Sequence, residues 1–140
     1  MGKINVGRVI GGGLVAGLVI NLIEGIMNGA VLANQWADQM HSLNRPPGGT
    51  VQEIVMLNLW GFAGGIVTLL LYAMIRPRMG AGPKTALCAG LFTWVTISVM
   101  GVSIPWIFGI YRPELALAAM GIELVEMPLA ALAGAYFYKE

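Results

Sequence analysis

Three glutamates stand in stretches that otherwise carry no charge. Val9 to Ala33 is interrupted only by Glu24, and Leu115 to Tyr138 only by Glu123 and Glu126. An ionised carboxylate at the centre of a bilayer costs about 2.5–3.5 kcal/mol or more, so it needs a cation, a hydrogen-bonding partner or a proton. Neither stretch contains a lysine or arginine. Asn21 and Asn28 sit three and four residues from Glu24, on the same face of a helix, and Glu123 and Glu126 are three apart on theirs. With Asn58 added, three carboxyls and three amides are expected at similar depth. Two uses suit such a set: a chamber that takes up a proton or small cation, or interhelical hydrogen bonds that hold the helices together. Pro128 removes the helical hydrogen bond to the Leu124 carbonyl, between the two glutamates, and is expected to kink the helix and free an oxygen there.

Other chemistries lack their parts. No nucleophile–base–orienter set appears, and the 20 glycines form no phosphate loop. The paired Glu-x-x-His spacing of di-iron bundles is missing. His41 lies beside Gln39 and Ser42, where a solvated imidazole is the simplest reading. One cysteine, Cys88, leaves no internal disulfide and no thiolate metal cluster. A non-enzymatic protein is expected, with no metal and no cofactor. The net charge of +1 gives no basic surface for nucleic acid.

Composition settles the class of element that must position these groups. The 140 residues are 57% apolar and 11% charged, against roughly 25% charged in a soluble domain. Ile54 to Ile75 is a run of 22 uncharged residues and Thr85 to Tyr111 a run of 27, while a membrane-spanning helix needs about 20. The expected fold is all-α: a polytopic membrane protein, residues 1–140 forming one four-helix bundle. Its helices are placed near 7–32, 51–75, 83–104 and 113–138. The first apolar run is too long, and too interrupted by Glu24, for a signal peptide.

Capping chemistry marks the ends. Thr50-Val51-Gln52-Glu53 fits a capping box, and Pro83 and Pro113 suit first helical positions. Arg76-Pro77 and Ile104-Pro105 are expected to stop the helices before them. Asn34 to Asn44 is expected to form a short interfacial helix with Trp36, Met40 and Leu43 on its apolar side. Lys3, Arg8, Arg76, Arg78, Lys84 and Lys139 fall at one end of the bundle, and Arg45 and Arg112 at the other. That asymmetry predicts cytoplasmic termini. Tyr72, Tyr136 and Tyr138 would form the inner aromatic belt, and Trp36, Trp106 and Tyr111 the outer one.

Each helix carries a stripe of small or polar residues at steps of three and four. Gly13/Gly17, Gly25/Gly29 and Gly61/Gly65 are pairs that permit close helix packing. In the third helix the stripe is Ala89, Thr93, Thr96, Met100 and Ser103. Ala16-Gly17-Leu18 is echoed by Ala89-Gly90-Leu91, and Tyr72 by Tyr136, which suggests a duplicated hairpin. The glutamates and Asn28 and Asn58 lie in the outer half or near the midplane, and the cytoplasmic half is apolar and small. A polar chamber facing outward is therefore expected.

Gly7-Arg8-Val9-Ile10, Gly12-Gly13-Leu14, Ala16 to Asn21 and Glu24 resemble the start of small, functionally uncharacterised membrane proteins of diverse bacteria. Leu43 to Pro46, Tyr72 to Arg78 and Leu132 to Tyr136 are similar to the same group. The resemblance implies a four-helix fold in a bacterial cytoplasmic membrane, and no activity. Length, helix count and a glutamate in helix one are also similar to small multidrug exporters; Glu123 and Glu126 and the one-way charge bias depart from them. The leading expectation is a homo-oligomer or accessory subunit of a larger membrane complex, with the bilayer and other membrane subunits as partners. The alternative is a small proton-coupled or cation or neutral-solute transporter using Glu24, Glu123 and Glu126.

Overall fold

A computed structural model describes residues 4–138. Four helices are long and apolar enough to cross a membrane: α1 (Val6–Val31), α3 (Val51–Met79), α4 (Pro83–Ile107) and α5 (Pro113–Phe137). A short helix, α2 (Ala33–Ser42), lies between the first two. The protein is an all-α four-helix bundle and, by the length and apolarity of these helices, an integral membrane protein.

The helix starts follow from local chemistry. The Asn5 side chain accepts from the Arg8 amide at 3.2 Å and caps α1. At α3 the Thr50 amide donates to Glu53 Oε2 at 2.8 Å and the Glu53 amide donates to Thr50 Oγ1 at 3.2 Å, a complete capping box. Pro83 and Pro113 occupy the first turns of α4 and α5. Two stops fall later than expected. α3 continues through Pro77 to Met79, and α4 continues through Pro105 to Ile107. Near a helix end a proline forfeits one backbone bond and still supplies a helical φ, so the chain runs on for a further turn or less. α3 ends instead at Gly80, whose φ of 85° is costly for any residue with a Cβ.

The helices run up and down, and each packs against its neighbours in sequence. α1 lies between α3 and α5, and α4 lies on the far side, also between α3 and α5. Glycine sets the closest approaches. A Cβ on Gly65 would stand 2.3 Å from the Gly17 nitrogen and 2.4 Å from the Gly13 carbonyl oxygen. Gly12 and Gly134 bring α1 and α5 together around the fully buried Leu69 of α3. A Cβ on Gly90 would meet the Pro128 Cα at 2.6 Å, so Pro128 marks the α4–α5 crossing, and α5 runs unbroken through it. Gly25 and Gly29 depart from expectation. Both are exposed and have open space around them, because the contact seam of α1 with α3 ends at Asn21.

Gly17 and Gly90 take matching places, each at the closest approach within its own hairpin. The tyrosines do not match. Tyr72 is buried and packs edge-on against Tyr138 at 5.8 Å, while Tyr136 is 78% exposed. Two of the three residues expected in an inner aromatic belt therefore belong to the core. Arg76 reaches over the Tyr138 ring at 5.4 Å, and Arg8, Arg78 and Lys84 lie near the same end. Lys3 and Lys139 lie outside the described residues.

Candidate functional site

The three glutamates come together where α1, α4 and α5 meet near the α2 end of the bundle. Glu126 faces Glu24 first and Glu123 second, and Glu123 lies beside Ser98. Glu126 is 1% exposed, and its buried carboxyl oxygens receive no N–H or hydroxyl donor; the group that faces them is the Glu24 carboxyl. Ser98, also 1% exposed, has its hydroxyl beside the Glu123 carboxyl. Asn28 Nδ2 donates to Glu24 Oε2. Trp36 Nε1 of α2 donates in turn to Asn28 Oδ1 at 2.8 Å. The cluster is thus tied to α2 through Glu24 and Asn28, with Glu126 in its fully buried part.

Two local distortions flank it. Met27–Val31 on α1 and Trp94–Val99 on α4 are π-helical. Such turns are rare, and frequent at functional sites, because their i→i+5 bonding inserts an extra residue and re-aims the side chains that follow. In α4 this overturns the expected stripe. Ala89 and Thr93 are buried as expected, but Thr96 and Met100 are exposed, and Ser98 takes the inward position opposite Glu123. A ring nitrogen holds the distortion, with Trp94 Nε1 donating to the Met120 carbonyl of α5 at 2.9 Å. A strict three-and-four spacing could not point to Ser98.

Not all expected members join. Asn21 Nδ2 donates to the Asn58 carbonyl at 3.1 Å, and Asn58 Nδ2 donates to its own helix at the Ile54 carbonyl, 2.8 Å away. Both residues tie α1 to α3 above Gly61, and Asn58 is exposed, so they serve the seam and lie apart from the carboxyls. Leu124, whose carbonyl Pro128 deprives of its helical donor, has a side chain 40% exposed. Glu24 and Glu123 are half-buried and Glu126 is fully buried. A shallow crevice of about 200 Å³ lies elsewhere, between α3 and α4, and includes Leu70, Met74 and Phe92.

No protein-family model matches the chain, and no curated protein and no solved structure is similar to it.

The chemistry must be read from the groups themselves. Among the described residues no three His, Cys, Asp or Glu side chains converge closely enough to hold a metal ion. The facing carboxyls of Glu24 and Glu126 are instead suited to sharing a proton, or to holding a small monocation in its place. His41 and Cys88 are exposed and take no part.

Gln39 was legible in the sequence only as a polar neighbour of His41. It is fully buried. Its Nε2 donates to the Ile110 carbonyl at 2.6 Å, and its Oε1 accepts from the Arg112 amide at 2.9 Å, the residue that caps α5. Trp36 packs edge-on against Tyr111 at 5.7 Å. The apolar side foreseen for α2 is thus partly turned inward, onto the bundle.

Proposed function

We propose that this protein is a non-enzymatic membrane carrier that exchanges a proton, or a small cation in its place, at the Glu24–Glu123–Glu126 cluster. The observation that carries this reading is the buried Glu126 carboxyl, which faces the Glu24 carboxyl and receives no N–H or hydroxyl donor. Interhelical glue is expected to be hydrogen-bonded, since an unsatisfied buried polar group costs about 1–3 kcal/mol, more for a charged one. A group kept in that state is suited to a ligand that arrives and leaves. Basic internal side chains are missing from the cluster, which disfavours anions.

The charge asymmetry gives the direction. Arg8, Arg76, Arg78 and Lys84 favour a cytoplasmic location for the end opposite α2, with the glutamates in the outer half of a bacterial cytoplasmic membrane. Reconstituted into liposomes under an imposed pH or sodium gradient, the wild type should carry flux well above protein-free vesicles. Glu126→Gln should reduce that flux to background. Equal, background-level flux in both proteins would remove the carrier reading.

A second reading has its own observation. Gly25 and Gly29 present an open, small-residue face beside the π turn of α1, where another helix can approach closely. On this reading the chain is a homo-oligomer or an accessory subunit of a larger membrane complex. Mass analysis in mild detergent should show a particle heavier than one 14.9 kDa chain with its micelle; a clean monomer with no partner would count heavily against it.

A further inference from the structure

We propose that α2 is a cap over the carboxyl cluster, held shut by Gln39, and that its release is what admits the proton or cation. The proposal rests on the carrier reading for its cargo but on separate geometry for the cap. α2 is joined to the bundle by joints rather than by continuous helix. At its start Leu32 leaves helical geometry, with φ −98° and ψ 9°. At its end the whole segment 41–50 is exposed and turns through positive φ at Asn44 and Gly48. A ten-residue helix on such joints has few backbone ties to the spans, so its position depends on side chains.

Those side chains are few, and they converge on the site. Gln39 uses both ends of its amide, to a carbonyl and an amide of the 110–112 loop, across 71 and 73 residues of sequence. Burying an amide this completely is tolerated only while both ends are bonded. Trp36 reaches Asn28, which is itself bonded to Glu24, so the cap touches the cluster through one hydrogen-bonded chain. The Arg112–Asp38 pair at 3.9 Å is solvent-exposed on both sides and contributes little. Opening the cap therefore means breaking the two Gln39 bonds and the Trp36–Asn28 bond together. It would open the Asn28 and Glu24 side of the cluster to water.

The test uses the full chain in liposomes, with Cys88→Ala and a reporter thiol introduced by Glu24→Cys, the cluster position that α2 reaches through Asn28. A charged, membrane-impermeant methanethiosulfonate is added outside. Labelling should be slow in this parent, and Gln39→Leu should speed it by roughly thirtyfold, the factor that two lost hydrogen bonds of ordinary strength correspond to. Trp36→Phe, which keeps the ring against Tyr111 and loses the N–H, should give a smaller increase. Labelling rates within twofold of the parent for both variants would overturn the cap. Should Gln39→Leu fail to fold, hydrogen exchange on the wild type decides. The Arg112 amide, held by Gln39, should be protected, and exchange there at the rate of an open loop would overturn the proposal. The two readings fail separately. Unmasking by Gln39→Leu without wild-type flux keeps the cap and removes the carrier. Glu126-dependent flux with labelling indifferent to Gln39→Leu does the reverse.

Discussion

Glu126→Met should make the protein more stable and useless as a carrier. Methionine is unbranched and close to glutamate in length, so it can occupy the same buried site without new polar atoms. The wild-type side chain places two oxygens there that receive no N–H or hydroxyl donor and face the Glu24 carboxyl. Removing an unsatisfied buried polar group recovers about 1–3 kcal/mol, and sites kept for function commonly hold such unfavourable arrangements. Denaturation in mild detergent should show the gain, and the liposome flux assay should show background. The opposite outcome is equally informative. A loss of roughly 1–2 kcal/mol, the scale of an interhelical hydrogen bond, would show that Glu126 is a tie between helices and that its donor-free state does not persist in the membrane.

Gly65→Ala should destabilise the bundle by about 3 kcal/mol, the upper end of what overpacking costs. The added carbon would fall within 2.3–2.7 Å of backbone atoms of Gly13 and Gly17. Flexible side-chain ends can rotate away from such a clash, but backbone cannot, so α1 and α3 must separate along their whole seam. That seam also carries the Asn21–Asn58 bond. Gly25→Ala is the matched control. Nothing lies within 4 Å of its Cβ position, and alanine is favoured over glycine in a helix by roughly 0.8–1 kcal/mol, so stability of the single chain should be unchanged or improved. Equal losses in the two variants, measured by unfolding in detergent, would show that the α1–α3 approach is not limited by glycine.

The contrast between these two glycines shows how far spacing can be read. Gly13/Gly17, Gly25/Gly29 and Gly61/Gly65 are the same pattern in sequence. Only the first and third pack within the chain, because helices cross and diverge, and Gly25 lies beyond the point where α1 leaves α3. Gly90 and Gly134 sit in no such pair, yet they carry the closest approaches to α5 and to Leu69. The same limit applies to the prolines. Pro83 and Pro113 start helices as local sterics require, while Pro77 and Pro105 are passed over, since close to a helix end a proline forfeits one backbone bond and still supplies a helical φ.

What the sequence determined by itself is set by one-dimensional physics. Apolar runs of more than 20 residues demand spans, capping residues place their starts, and three carboxyls without basic companions demand either partners or ligands. These arguments need only composition, local spacing and the dielectric of a bilayer. The tertiary structure alone decided which carboxyls face each other and which side chain of α2 reaches them. The π turn at Trp94–Val99 brings Ser98 inward by a rotation that no fixed helical period anticipates. The burial of Gln39 depends on two backbone groups more than 70 residues away. A hydrogen bond is short-ranged and directional, so its partner is chosen by how the helices pack and where the loops close, and neither is written in any local stretch of the chain.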